Sequence, residues 1–283
     1  MAKRRADFAG SWYPADRSGC LEVIEEFKRD TRPCPNDGKK RIGGIVPHAG
    51  WLFSGRTACN VFQCINATSD PDTVVLFGGH LHPGSGCYIM VDGSWETPLG
   101  DLEVDDELAS MLAREFPFEL EAPGRYRQDN TIELQLPFVR HFFPKARIVP
   151  VGVPPARASL GIGEKVVELS DSLGRALVVV GSTDLTHYGP NYGFAPQGLG
   201  KQAVDWVRNE HDRRVIDRML AMDGEGVITE GLKSQNACCP GAAATAVAAA
   251  CRMGARHGVE LTYAMSYDTR PDSSFVGYVG ILF

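Results

Sequence analysis

The 283-residue sequence lacks several features that would assign it to a membrane, nucleic-acid-binding or secreted class. No apolar stretch approaches the roughly 20 residues of a membrane-spanning helix, and residues 6–10 do not form the apolar core of a signal peptide. A net charge of −6 offers no basic surface to a nucleic acid or a membrane. We therefore expect a cytoplasmic protein without nucleic-acid or membrane partners.

Paired cysteine motifs are also missing, because the eight cysteines are scattered and form no Cys-x-x-Cys pair. A disulfide framework is typical of short secreted chains, and zinc ribbons and fingers need closely spaced ligand pairs. Both classes are disfavoured. We expect most of the cysteines to be small, buried hydrophobic residues.

The sequence does contain short apolar runs, which alternate with segments of helical periodicity. Continuous apolar runs are typical of strands that are buried on both faces, and their alternation with helices predicts a mostly parallel sheet. We expect one α/β/α domain over residues 1–283, with a central, mostly parallel sheet. The predicted strands are 42–46, 73–77, 146–153, 176–180, 260–265 and 274–283. The predicted helices are 19–29, 105–116, 159–173, 201–222 and 242–253, and the last is alanine-rich enough to lie close to the sheet.

Three predicted strands each end in a turn of small residues that contains a histidine. His48, His80 and His187 follow the strands at 42–46, 73–77 and 176–180. Ligands of open α/β sheets bind at the carboxyl ends of the strands, so we expect these histidines to converge on one site. Histidine is the most common metal ligand and an acid or base near neutral pH. His82 either lines the same site or faces solvent.

Two further segments contribute polar groups. Glu133 lies between Ile132 and Leu134, and a carboxylate buried there would need a partner or a function. Cys239 precedes the alanine-rich helix. A cysteine at a helix N-terminus tends to have a lowered pKa, and the thiolate is the form that binds metals.

Taken together and in order, these segments resemble the Memo family, whose bacterial and archaeal members are also called AmmeMemoRadiSam system protein B. The resemblance spans almost the whole chain. Its motifs are AGSWYP at 9–14, PHAGW at 47–51, GGHLHPG at 78–84, DNTIELQLPF at 129–138, STDLTHYG at 182–189 and NACCPG at 236–241. This chain departs from the family at Asp129-Asn130-Thr131, where Glu-His-Ser is common, and at His80-Leu81-His82, where adjacent histidines are usual.

The family is similar in fold to class III extradiol dioxygenases, which open catechol rings with iron held by two histidines and a carboxylate. The resemblance therefore implies a metal-dependent oxidoreductase that acts on a small oxygenated or aromatic substrate. It implies functional links to a radical-SAM protein and an AMMECR-type protein. It assigns the metal to His48, His80 and Cys239, acid–base catalysis to His187 with Asp184 beside it, and support of the site to Glu133.

The residues leave the metal and the function open. Fe(II) is expected from the dioxygenase resemblance, while two histidines and a thiolate also suit copper or zinc. A non-catalytic iron or copper carrier, or an adaptor that binds a peptide, is the alternative function. A structural zinc site would need a fourth ligand, for which His187 and Cys238 are the nearby candidates.

Overall fold

A nine-stranded sheet forms the centre of the computed structural model, which describes residues 2–283. Its order is β10-β12-β2-β9-β3-β8-β4-β7, with β11 paired to β12, and β1, β5 and β6 form a separate small sheet. The strands are β1 Lys3–Arg4, β2 Gly43–Val46, β3 Thr73–Gly78, β4 Tyr88–Met90, β5 Ser94–Trp95, β6 Leu102–Glu103, β7 Glu119–Glu121, β8 Arg147–Gly152, β9 Leu177–Ser182, β10 His187–Tyr188, β11 Val259–Met265 and β12 Phe275–Leu282.

The four middle strands of the sheet, β2, β9, β3 and β8, run parallel to one another. They are buried almost throughout, as their continuous apolar sequences predict. The antiparallel pair β11 and β12 extends the sheet at one side. All six predicted strands are confirmed, and the carboxyl ends of β2, β3 and β9 lie at one edge of the sheet.

Helices cover both faces of the sheet. They are α1 Arg17–Arg29, α2 Trp51–Asn66, α3 Asp106–Glu115, α4 Asn130–Glu133, α5 Leu136–Phe142, α6 Arg157–Ser172, α7 Lys201–Trp206, α8 Asp212–Leu220, α9 Gly224–Ser234, α10 Pro240–Arg252 and α11 Ser266–Thr269. A side chain at Gly44 would meet Val61 of α2, whereas one at Gly181 would meet α10. The predicted α/β/α architecture is confirmed.

The alanine-rich helix α10 packs closely on β9. A Cβ atom at Gly181 would lie 2.8 Å from both the Ala242 carbonyl oxygen and the Ala246 Cβ atom. Ten of the residues of α10 are buried, and most of them are alanines. This close approach fixes the N-terminus of α10, and with it Cys239, at the carboxyl end of β9.

Two sequence predictions need correction. Cys34 and Cys64 form a disulfide, and only four of the eight cysteines are buried, namely Cys20, Cys59, Cys64 and Cys239. The predicted helix at 201–222 contains a π-helical segment, Val207–His211, between α7 and α8. Within residues 2–283, no helix is both long and apolar enough to cross a membrane.

Candidate metal centre

The strand-end histidines converge as predicted, because β2, β3 and β9 are parallel. The loop after β2 places His48 at the carboxyl edge, where its ring centroid lies 5.0 Å from that of His80 in an edge-to-face arrangement. Gly79, with φ of +97°, makes the turn that brings His80 to the edge; this backbone conformation is accessible to glycine at little cost. Thr131 accepts the Gly79 N–H on its hydroxyl oxygen at 2.7 Å and packs against the turn.

Four side chains form a cluster that could hold a metal ion, namely His48, His80, Cys238 and Cys239. One donor atom from each lies within 4.8 Å of the other three. The Cys238 Sγ atom lies 3.1 Å from His48 Nε2 and 3.8 Å from Cys239 Sγ, which is 3.4 Å from His80 Nδ1. Tetrahedral bonds of about 2.3 Å to sulfur and about 2.0 Å to nitrogen separate donor atoms by about 3.3 to 3.8 Å. The three distances given above are close to this range, so the cluster could hold a divalent metal.

The two imidazoles turn different nitrogens toward the sulfurs, and a hydrogen bond on the opposite nitrogen sets each orientation. His48 Nδ1 lies 2.9 Å from the Ser182 hydroxyl, which leaves Nε2 facing Cys238. His80 Nε2 lies 3.2 Å from Asn130 Oδ1, which leaves Nδ1 facing Cys239. Hydrogen bonds of this kind fix the tautomer of metal-binding histidines and orient their rings.

Both cysteines are held by the loop that follows β9. The Asp184 carbonyl accepts the Cys238 N–H at 3.0 Å, and the Asp184 N–H points at the Cys238 sulfur, 3.2 Å away. The Thr183 hydroxyl accepts the Cys239 N–H at 3.0 Å. These contacts fix both sulfurs relative to the histidines, independently of any metal.

The ionisation of the two thiols differs from the sequence prediction. Burial opposes ionisation of Cys238, but the Cys239 thiol, His48 and His187 bring its pKa well below the usual range. Burial, together with the adjacent Cys238, raises the pKa of Cys239 well above that range. The direction at Cys239 is therefore opposite to the lowering of the pKa that a helix N-terminus favours. Cys238 was anticipated only as a fourth ligand, and its adjacency to Cys239 was the available signal.

His187 and Asp184 lie beside the cluster as a pair. One oxygen of the Asp184 carboxylate accepts the backbone N–H of His48 at 2.7 Å, and the other lies 3.9 Å from His187 Nε2. Burial lowers the pKa of His187, but Asp184 and Cys238 outweigh this effect and raise it to about 10. This shift favours the protonated ring and is opposite in use to the near-neutral pKa expected for a base. Among residues 2–283, His187 Nε2 is buried and has no hydrogen-bond partner.

Glu133 is buried, as predicted, but its oxygens are used elsewhere. They accept the N–H groups of Asp7 and Phe8 at 3.0 and 2.7 Å and the hydroxyl of Tyr13 at 3.0 Å. Burial raises the pKa of Glu133 to about 7, although these three donors act to lower it. Glu133 therefore anchors the N-terminal segment, and a catalytic role for it remains a prediction.

A cavity of about 710 Å³ opens onto the histidine side of the cluster. His48, His80, Asp184 and His187 line it, whereas Cys238, Cys239, Glu133 and His82 do not. His82 is exposed, and its backbone N–H and carbonyl are both hydrogen-bonded to Ser85. The structure thus brings His80, rather than His82, into the cluster.

Asn130 connects the two histidines, and its removal is expected to weaken metal binding. Its amide donates to the His48 carbonyl at 3.1 Å, while its oxygen faces His80 Nε2. Loss of such an orienting partner typically lowers metal affinity about 10–100-fold, so we expect that loss for Asn130→Ala in a chelator competition titration. Asn130→Asp keeps the acceptor for His80 and should stay near the wild-type affinity. Wild-type affinity in Asn130→Ala would refute the orienting role.

Comparisons with known proteins agree with the resemblance in the sequence. The model of the family described as Memo-like protein matches residues 4–282. A MEMO1 family protein of Thermococcus onnurineus is 35% identical over 284 residues, covering 97% of each chain. One of Methanopyrus kandleri is 35% identical over 294 residues, covering 99% of each. A crystal structure of an uncharacterized Escherichia coli K12 protein, JW3007, is 10% identical and covers 86% of this chain and 100% of that one, with a TM-score of 0.54; that likeness concerns the fold alone.

Proposed function

We infer, from the premise that this chain belongs to the Memo family, that it is a metal-dependent enzyme acting on a small oxygenated substrate. The observation that supports this function best is the shared cavity. His48 and His80 face a space of about 710 Å³ that Asp184 and His187 also line. A concave pocket in which convergent polar groups meet a potential metal site is typical of a catalytic centre.

The chain itself would supply the metal ligands. His48 Nε2 and His80 Nδ1 would bind the metal from the cavity side, and the Cys239 sulfur from the side away from the cavity. Cys238 is close enough to act as a fourth ligand. A bound divalent metal would act as a Lewis acid that polarises a substrate oxygen. The open side of the cluster is the side toward the cavity, because neither cysteine lines the cavity wall.

His187 would act as the general acid in this reaction. Its imidazole lines the cavity and lies 3.9 Å from the Asp184 carboxylate, which favours the protonated ring. The buried, unpartnered Nε2 atom could donate a proton to a substrate oxygen. The neutral imidazole that results would remain beside Asp184. Asp184 also accepts the backbone N–H of His48, so one carboxylate lies beside the acid and fixes the backbone at a metal ligand.

Oxygen-dependent chemistry on iron is the specific form of this proposal that follows from the dioxygenase resemblance. Two histidines and one carboxylate, with open positions, suit Fe(II) in oxygenases, and Cys239 would take the place of the carboxylate here. The second thiol favours zinc over iron, because a tetrahedral set of two sulfurs and two nitrogens suits zinc. The identity of the metal therefore distinguishes two sites: an iron site with open coordination positions, and a closed site in which both cysteines bind the metal.

The closed site supports the alternative function, a carrier or a structural metal centre. The specific observation in its favour is that four donors already lie within 4.8 Å of one another. A structural zinc site is four-coordinate and closed, whereas a catalytic site keeps one position for water or substrate. In this alternative, all four side chains would be needed to bind the metal.

Metal content tests both functions directly. Anaerobically purified wild type, Cys239→Ser and Cys238→Ser would be analysed by mass spectrometry, with Cys251→Ser as the control at a free cysteine outside the cluster. We expect about one metal per chain in wild type and control, and a large loss in Cys239→Ser. Retention in Cys238→Ser would support an open catalytic site, while equal loss in both would favour the closed carrier site. Absence of metal from wild type would refute both.

A further inference from the structure

One wall of the cavity is formed by the loop between β11 and β12, and the wall is distinct from the metal cluster. The connection begins with helix α11, and four of its residues line the cavity, namely Ser266, Arg270, Asp272 and Ser274. The wall adjoins β10, because His187 pairs with Val276 and the Asn191 N–H donates to the Ser274 hydroxyl at 3.1 Å. None of the four wall residues belongs to the cluster of potential metal ligands.

Arg270 is the only arginine or lysine among the residues that line this cavity. It is exposed, and within residues 2–283 no carboxylate oxygen lies within 4.0 Å of its guanidinium nitrogens. Pro271 restricts Arg270 to the extended backbone it adopts, with φ of −144° and ψ of 99°. The guanidinium group of an arginine presents a planar set of donors that matches a carboxylate.

Aromatic side chains frame the same cavity. Trp12 and Tyr192 are unusually exposed for their size, at 40% and 46%, and both line the cavity. The Tyr192 ring centroid lies 4.9 Å from that of His187. Exposed aromatic rings beside a cavity provide flat apolar surface for another ring, so the cavity combines one cation with surfaces suited to a planar ligand.

We propose that Arg270 binds the carboxylate of an aromatic acid whose ring lies between the aromatic side chains and the metal cluster. This proposal rests on the proposed function, because it names the substrate class of the same cavity. Arg270 is then a specificity-determining residue: it would select anionic over neutral aromatic ligands without contributing a metal ligand. Asp272, on the same wall, would disfavour a second negative charge and so favour a monoanion.

Matched pairs of probes that differ mainly in charge test this assignment. The probes are 3,4-dihydroxybenzoate, 3,4-dihydroxyphenylacetate and 3,4-dihydroxyphenylpropionate, each compared with its neutral amide. The three lengths allow for the span between Arg270 and the cluster. Binding would be measured anaerobically by calorimetry on zinc-loaded wild type, Arg270→Gln and Arg256→Gln. Arg256 is an exposed arginine outside the cavity and serves as the matched control.

In wild type and in Arg256→Gln, at least one acid should bind more tightly than its amide by about tenfold or more, since hydrogen bonds to charged groups are the stronger class. Arg270→Gln should abolish this preference and leave amide binding unchanged. A preference that survives in Arg270→Gln, or equal binding of every acid and its amide by wild type, would overturn the proposal. Metal content of the same samples separates this result from failure of the proposed function, because Arg270 is not a ligand.

Discussion

Replacing His187 with alanine is expected to lower kcat/KM by about 10²–10⁴-fold, the usual contribution of a positioned acid or base. The ring lies in the cavity beside Asp184, and alanine removes its proton donor. His187 is not among the four clustered donors, so metal content should stay at the wild-type level. The measurement is anaerobic metal loading followed by turnover of a catechol panel in the presence of oxygen.

His82→Ala is the matched control for this experiment. His82 is also a loop histidine at the carboxyl edge, but its side chain is exposed and lies outside the cavity lining. We expect it to retain wild-type kcat/KM. Equal activity of His187→Ala and wild type would remove His187 from the mechanism, and inactivity of wild type toward every catechol would exclude ring cleavage.

The strands were predictable because burial on both faces leaves an unbroken apolar sequence. Helix α2, Trp51–Asn66, was not, because its buried residues include polar ones such as Ser54, Thr57 and Asn60, which obscure the apolar stripe. Helix α9, Gly224–Ser234, contains three glycines and has low intrinsic helix propensity. Strands of two or three residues are too short to show any periodicity.

The candidate site was predictable where the order and direction of the strands determine the positions of its residues. Parallel strands force His48, His80 and the loop containing Asp184 to one edge, so their convergence follows from sequence order. The choice between His80 and His82, and the participation of Cys238, depend on side-chain directions. Those directions are set by contacts from distant segments, such as that of Asn130 with His80, which no local pattern encodes.

Glu133 illustrates how a correct inference can leave the role of a residue open. Its burial and its need for partners followed from its apolar neighbours. Its partners, however, belong to the N-terminal segment, more than 100 residues away in sequence. That segment continues to Trp12, which lines the cavity and whose carbonyl accepts the N–H of Trp51 at 2.9 Å. Glu133 thus supports the cavity wall from a distance.

Glu133→Ala is therefore expected to lower the free energy of unfolding by about 1–3 kcal/mol, the range for leaving a buried hydrogen-bond donor without its acceptor. The side chain is fully buried, and its loss leaves the donors of Asp7, Phe8 and Tyr13 without their acceptor. Urea denaturation at neutral pH measures the effect. Glu115→Ala, at an exposed glutamate without an ion pair among the described residues, should change stability by less than about 0.5 kcal/mol.

Hydrogen exchange distinguishes this anchoring role from direct catalysis by Glu133. If Glu133 anchors the N-terminal segment, the Asp7 and Phe8 amides should lose protection in Glu133→Ala, while metal content persists because no metal ligand has changed. Activity should then fall only to the extent that Trp12 is displaced from the cavity. Unchanged protection together with abolished turnover would assign Glu133 to the chemistry instead, because its carboxylate would then matter without holding the segment.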